Sequence, residues 1–376
     1  MKATIDPIEL TQALIRFNTI NPPGNEHDCA HYLGTLLEDA GFRVSYPEGE
    51  GGRTNVIARL GNGSGKPICF TGHIDTVPLG GEPWHVDPFA GDIKDGKLYG
   101  RGSTDMKAGV AAFVAAAIDL ADELDSGPGV VLVITAGEET GCEGAHFLAE
   151  QGDVLGEAGA MIIAEPTSNY PMVGHKGALW LHAITKGVTA HGSMPQYGEN
   201  AVYKAARVTS KLEQFEFGRP EHEVLGFDTL NVGTIHGGMN MNSVPDLCRV
   251  GIDIRTTPGA DHAALKSNLG NYLSPDLSEL KPMVDLKGIW TEPQQEWVKA
   301  VYDIMTPILG EEPEPRAVTY FTDGSVLTPY YGNIPSVILG PGEPHMAHQT
   351  DEFCYVERIE QIRLAYREIM ARWVAA

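Results

Sequence analysis

Between residues 55 and 164 short apolar runs alternate with helical stretches, and this alternation constrains the fold more than any other feature of the chain. Runs at 55–60, 68–73, 130–136 and 161–164 have the length and β-branched content of buried strands, with an alanine-rich helix predicted over 108–124. Strands that alternate with helices give a largely parallel sheet, hence an α/β fold. The alternation stops near Gly177 and resumes at Thr291. In the interval, 178–187 alternates apolar and polar residues and 200–215 has helical periodicity. Two half-buried strands are expected at 229–236 and 247–256, a helix at 260–273 and a last strand at 282–288. That order, β-α-β-β-α-β, is the pattern of a small ferredoxin-like α+β domain. The chain therefore reads as a discontinuous larger domain, residues 1–176 and 289–376, interrupted by a domain of residues 177–288. At the ends, Asp6-Pro7-Ile8-Glu9 has the form of a helix start, and 356–374 reads as a closing amphipathic helix.

Two domains suit a chain of 376 residues. The 27 Lys+Arg against 50 Asp+Glu leave a net charge of −23, which repels a phosphate backbone and argues against a nucleic-acid partner. The five cysteines, Cys29, Cys69, Cys142, Cys248 and Cys354, are scattered without a C-x-x-C pair, so neither a disulfide framework nor a thiolate zinc site is expected. Met1-Lys2-Ala3-Thr4-Ile5-Asp6 lacks the apolar core of a signal peptide, and the apolar stretch 108–121 contains Asp119 and is too short to span a bilayer. A cytoplasmic protein with no membrane role is expected. Gly61-Asn62-Gly63-Ser64-Gly65-Lys66 has the wrong glycine spacing for a phosphate loop and reads as a turn.

Four predicted elements deliver acidic or imidazole groups at their ends. Phe70-Thr71-Gly72-His73-Ile74-Asp75 ends a strand, and Gly100-Arg101-Gly102-Ser103-Thr104-Asp105-Met106-Lys107 precedes the alanine-rich helix. Thr135-Ala136-Gly137-Glu138-Glu139-Thr140-Gly141 and Ile163-Ala164-Glu165-Pro166-Thr167 end two further strands. Each has a plainer reading: Asp105 as a helix cap, Glu138-Glu139 as a solvated turn, His73 as a core histidine, Glu165 as loop. Ligands in open α/β sheets bind beyond the carboxyl ends of the strands, so the four should converge. Converging carboxylates repel unless a cation sits among them.

The strings GHIDTVP, YGRGSTDMKAG, TAGEETG, AEPT and HMAHQTDEF together resemble the co-catalytic zinc metallopeptidase family of acetylornithine deacetylase, succinyl-diaminopimelate desuccinylase, aminoacylase and glutamate carboxypeptidase. The resemblance spans essentially the whole chain, with the motifs in family order. It implies a zinc-exopeptidase-like catalytic domain, an inserted ferredoxin-like dimerisation (lid) domain, and two Zn2+ per subunit, with Co2+ or Mn2+ able to substitute. By the same resemblance His73 and Glu165 hold one metal, Glu139 and His348 the other, and Asp105 bridges them, with a cis peptide to Met106. His348 is preferred over His345 because it directly precedes Gln-Thr-Asp-Glu. Asp75 would fix the ring of His73. Two divalent ions and one bridging hydroxide balance the three ligand carboxylates. Glu138 is left without a metal and takes the part of general base.

In the inserted domain, Thr189-Ala190-His191-Gly192-Ser193-Met194-Pro195 resembles the family segment whose histidine reaches a partner subunit's active site and steadies the oxyanion. Asn242 and Arg255 match the family's substrate-carboxylate pair, and Thr322 and Gly324 lie in a segment similar to a substrate loop. There the desuccinylase form has an arginine after its Asp-Gly, whereas this chain runs on to Val326 without one. The resemblance thus implies a homodimeric enzyme that hydrolyses the amide of a small N-acyl amino acid through a bridging zinc hydroxide. A carboxypeptidase or dipeptidase acting on short peptides is the alternative, and a non-enzymatic binding protein on the same fold is a third reading. A mononuclear or magnesium-dependent hydrolase would need fewer ligands than these five.

Overall fold

A computed structural model describes residues 4–375. The chain separates into two compact units. One runs up to Gly174 and includes Trp290–Arg316 and the chain from Thr322 on; the other comprises His175–Ile289 with Ala317–Phe321. The sequence division placed 317–321 with the larger domain, since nothing local in Ala317-Val318-Thr319-Tyr320-Phe321 signals a return to the inserted one.

The larger unit opens with helix α1 (Pro7–Ile15), whose cap Asp6 accepts a 2.8 Å hydrogen bond from the amide of Ile8. Helix α2 (His27–Asp39) follows, and then strands β1 (Arg43–Ser45), β2 (Val56–Leu60) and β3 (Ile68–His73). Helix α3 (Ala108–Asp119) leads to β4 (Val130–Thr135) and β5 (Ala160–Ile163). Every residue from Ala108 to Ile118 is buried, because α3 packs on β3 with one side and on α1 and the C-terminal helix with the other. A helix covered all round has no polar face to show, which explains its run of alanines. The predicted 108–124 helix breaks at Leu120, which leaves helical geometry at φ −102° and ψ 10°, before a short helix Ala121–Asp125. No glycine or proline marks that break.

The second unit contains β6 (Gly177–Lys186), α4 (Ala201–Glu213), β7 (Thr229–Gly237), β8 (Leu247–Thr256), α5 (His262–Leu273) and β9 (Glu279–Leu286). Its sheet is antiparallel in the order β7-β8-β6-β9, the ferredoxin-like arrangement. Leu179, Leu181, Val250, Ile252 and Ile254 from the sheet and Ala205, Val208 and Leu269 from the helices form its core. Strand β9 begins three residues before the predicted start and keeps Pro282 inside it. That is tolerated because β9 pairs only with β6 at the sheet edge, and the register slips between Pro282 and Val284.

The chain returns through α6 (Glu296–Leu309), α7 (Gly324–Tyr330), β10 (Ser336–Ile338) and α8 (Val356–Ala375). The large sheet has the order β1-β2-β4-β3-β5-β10. Strands β4, β3, β5 and β10 are parallel neighbours, and β1 and β2 run antiparallel at one side. Phe70 of β3 packs against Phe113 of α3 and Tyr366 of α8, so the core lies between the sheet and these two helices. Among the described residues no helix is long and apolar enough to cross a membrane.

Candidate metal centre and catalytic site

The adjacent parallel strands β4, β3 and β5 end on the same edge of the sheet. His73 is the last residue of β3 and pairs in register with Thr135, the last of β4. Glu138 and Glu139 follow in the turn after β4, and Glu165 lies two residues beyond β5. Asp105 comes to the same edge on the loop before α3, through a cis Asp105–Met106 peptide. The Met106 side chain lies over Gly72, where a Cβ would come within 2.5 Å of its terminal methyl. The Met106 sulfur accepts from the His73 amide at 3.3 Å. His348 arrives on the loop between β10 and α8.

These groups converge. His73 Nε2 is 3.2 Å from Asp105 Oδ1, and His348 Nε2 is 3.5 Å from Asp105 Oδ2, so the two oxygens of one carboxylate face two different imidazoles. His348 Nε2 is also 3.0 Å from Glu139 Oε2. On the other side His73 Nε2 lies 3.9 Å from Glu165 Oε1 and 4.0 Å from Glu138 Oε2. Two overlapping clusters result, His73–Asp105–Glu139 and His73–Glu138–Glu165, each with candidate ligand atoms within 4.8 Å of one another.

Electrostatics show what the arrangement asks for. Burial, then the charge of Glu165, pushes Glu138 well above the usual carboxylate range. Burial and Asp105 do the same to Glu165. Burial opposes charge on His73, but hydrogen bonds to Asp105 and Asp75 outweigh it and hold the ring well above its ordinary value. Hydrogen bonds to Asp105 and Glu139 raise His348 to about 10. The crowded carboxylates thus favour positive charge among them, and Oε1 of Glu139 is buried with no partner. Imidazole nitrogens and carboxylate oxygens in this number are the donor set of zinc-type divalent ions, and such ions fit here.

Behind the cluster, His73 Nδ1 contacts the main-chain oxygen of Asp75 at 3.0 Å and the side-chain Oδ1 at 3.5 Å. The Asp75 carboxylate also accepts from the Glu138 amide at 3.1 Å, the Glu139 amide at 3.4 Å and Asn21 Nδ2 at 2.9 Å. Arg53 Nη1 donates to the side-chain oxygen of Asn21, and Arg53 is bonded to buried Glu26. One buried chain of polar groups therefore aims both the imidazole and the Glu138-Glu139 turn. Asn21 and Arg53 carry no sequence signal for this role, since their partners are tens of residues away.

The loop before α7 differs from expectation. Thr322 is buried, with its hydroxyl accepting from the amide of Gly324 at 3.0 Å, so both residues are occupied in shaping their own turn. The group that turns to the catalytic set is Asp323, between them. It accepts from the Thr135 hydroxyl, and its other oxygen is buried without a partner. Burial raises it to about 6, and its charge helps to raise Glu138.

His191, Asn242 and Arg255 all belong to the second unit. His191 is exposed, with Nδ1 2.7 Å from the Ser193 hydroxyl, and the neighbouring Gly192 amide donates to the Asn242 carbonyl at 2.7 Å. Asn242 precedes β8, whereas Arg255 sits near its far end. The strand from Leu247 to Arg255 alone spans about 26 Å, so within one chain the two residues do not meet on one carboxylate. Arg255 instead pairs with Asp253 at 2.9 Å, and its guanidinium lies 5.8 Å from the Trp180 ring centroid and 5.9 Å from that of Phe321. Trp180 Nε1 donates to Asp253 at 2.9 Å.

The chain belongs to the peptidase family M20/M25/M40, which matches residues 69–372. It is 30% identical over 392 residues, covering 99% of this chain and 100% of its relative, to the succinyl-diaminopimelate desuccinylase of Cereibacter sphaeroides. The fold is similar to that of Sso-CP2, an M20 family metallo-carboxypeptidase from Sulfolobus solfataricus. That match has a TM-score of 0.84 and 18% identity, and covers 99% of this chain and 100% of the other. It is also similar to the YXEP protein of Bacillus subtilis, a dinuclear metal binding peptidase of the M20 family. There the TM-score is 0.72 at 15% identity, over 98% of each chain. The protein is accordingly an M20 hydrolase acting on amide bonds.

Proposed function

We propose that the protein removes the acyl group from a small N-acyl-L-amino acid, using two divalent cations, zinc in the first instance. The carrying observation is the position of Glu138. It is a buried carboxylate beside the cluster, 4.0 Å from His73, and is not needed in the set His73, Asp105, Glu139, Glu165 and His348. In this reading His73 and Glu165 hold one cation, Glu139 and His348 the other, and Asp105 serves both. When bound, the cations polarise the scissile carbonyl and lower the pKa of water at the site. Glu138 accepts a proton from the attacking water and returns it to the amine nitrogen as the C–N bond breaks. Asp75 keeps the His73 ring and the Glu138 backbone in place.

His191 of a second copy steadies the oxygen that becomes negative. Asn242 and Arg255 from different copies take the substrate carboxylate, which their separation along β8 supports. Arg255 exchanges Asp253 for that carboxylate. The second unit is thus both dimerisation surface and lid. The cytoplasm suits the five free cysteines.

The relative from Cereibacter sphaeroides carries the desuccinylase name, which favours an acyl substrate. One observation keeps short peptides as a second reading. Ser325 and Val326, which follow Gly324, are buried and uncharged, so this stretch offers no guanidinium to a succinyl carboxylate. The deciding experiment incubates cation-loaded and chelated enzyme with pooled N-acetyl, N-succinyl and longer N-acyl amino acids beside dipeptides, and reads released amino acids by mass spectrometry. Cation-dependent release from acyl substrates is expected. Release from dipeptides alone would overturn the deacylase reading.

A further inference from the structure

Glu352 has no part in the reaction as described, yet its buried carboxylate accepts four N–H groups from the loop that carries Asp105, three of them main-chain amides. Oε1 takes the amides of Thr104 at 2.8 Å and Asp105 at 3.1 Å. Oε2 takes the amide of Gly102 at 3.0 Å and Arg101 Nη1 at 2.6 Å. Arg101 is itself buried and donates through Nη2 to the carbonyl of Pro78. Two more bonds add to the clamp: the Gly100 amide donates to the Glu352 carbonyl at 2.9 Å, and the Thr104 hydroxyl to the Phe353 carbonyl at 2.6 Å.

The arrangement has a mechanical consequence. The loop from Gly100 to Asp105 carries non-helical residues, so few partners of its own satisfy these amides, and one side chain gathers them. That side chain lies four residues after His348, on the segment that brings His348 to Asp105. Glu352 therefore ties the two segments that supply Asp105 and His348. His73 and Glu165 are held instead by strand ends, and the Asp75 network holds Glu139 through its amide.

We propose that Glu352 is a positioning residue that locks Asp105 to His348, and so sets the affinity of the cation site of Asp105, Glu139 and His348 more than that of His73, Asp105 and Glu165. The proposal rests on the two-cation reading above. Loosening the clamp displaces Asp105 for both sites, but the site of His73, Asp105 and Glu165 keeps two strand-anchored ligands, whereas the site of Asp105, Glu139 and His348 keeps only Glu139.

The test is Glu352→Gln in the full chain. The amide has nearly the same shape, but its NH2 must face one of the two pairs of donors. Metal-free protein is titrated with Zn2+ against a chromophoric chelator, and hydrogen exchange of residues 100–105 is followed by mass spectrometry without metal. Leu124→Ala, at a buried core position in a separate short helix, controls for general destabilisation. The first Zn2+ should bind within about threefold of wild type and the second about tenfold to a hundredfold more weakly, the range seen when groups that orient metal ligands are removed. Faster exchange of 100–105 should accompany that loss. Two unchanged affinities, an equal loss at both sites, or the same asymmetry in Leu124→Ala would overturn the proposal. Should Glu352→Gln fail to fold, Glu352→Asp keeps the charge, and an unchanged second affinity there would overturn it equally. A wild-type protein that takes up only one Zn2+ would overturn the two-cation reading, and this proposal with it; the exchange data would then still report on the clamp.

Discussion

His175 offers a quantitative test of how burial acts in the second unit. Its ring is fully buried, Nδ1 lies 2.8 Å from the carbonyl of Lys176, and Nε2 has no partner. A proton on Nε2 would place a charge where nothing can solvate it, so burial lowers the group to about 4 from an ordinary 6.5. A histidine with a lowered folded-state pKa is protonated first in the unfolded chain. Its contribution to stability is therefore complete above pH 6.5 and is lost as pH falls from there through 4. The full shift corresponds to about 3 kcal/mol, of which about 2 kcal/mol is lost between pH 8 and pH 5. His175→Phe removes the titration while keeping a ring of similar shape. It gives up the bond to Lys176, about 1 kcal/mol, and relieves the unpartnered Nε2 by a comparable amount. At pH 8 the two proteins should agree within about 1 kcal/mol, and at pH 5 the variant should gain about 2 kcal/mol relative to wild type. Urea unfolding followed by circular dichroism reads the difference, and titrations common to both proteins cancel. Parallel stability curves from pH 8 to pH 5 would show that His175 is not held neutral by burial.

Four further outcomes are expected. Glu138→Gln should lower kcat by a factor of about 10² to 10⁴ while both cations remain bound, as read by metal analysis after gel filtration. Mixing it with inactive His191→Ala should restore up to about a quarter of wild-type activity if His191 acts across the dimer, and no recovery would place it within its own subunit. Arg53→Met leaves Glu26, fully buried, without its ionic partner and should cost about 3–5 kcal/mol in urea unfolding. Chelation should make stability fall as pH rises: His348, at about 10, and Glu138 and Glu165, both raised, bind more protons when folded than unfolded. Thermal melts of chelated protein should therefore drop from pH 6 towards pH 9, and reloading with Zn2+ should flatten that slope.

The parts of this molecule that can be read from sequence are those in which a local pattern and its physical cause lie within a few residues. Strands β3, β4 and β5 announce themselves as apolar runs, and His73, the Glu138-Glu139 pair and Glu165 stand at or just beyond their ends, so the edge where they meet follows from the parallel sheet. The order of the second unit is readable for the same reason, because its periodicity changes from element to element. What escapes is set by pairings over long separations. Glu352 meets the amides of the Asp105 loop across about 250 residues, and Asn21 meets Asp75 across 54. Asp323 lies between the two residues that the resemblance singles out, and only the fold shows that Thr322 and Gly324 turn inward on their own loop and leave the aspartate beside Thr135. Arg255 was readable as a cation at a strand end, while the partner that neutralises it, Asp253, and the rings of Trp180 and Phe321 beneath it come from sheet registry and from a segment 66 residues on. The residues that bear chemistry thus sit where secondary structure ends, and those that hold them sit wherever the tertiary fold brings a donor. A sequence reading of such an enzyme finds the first set and misses the second. Variants of Glu352 and Arg53 therefore test the structure more sharply than variants of the cluster itself, whose loss the motifs alone already foretell.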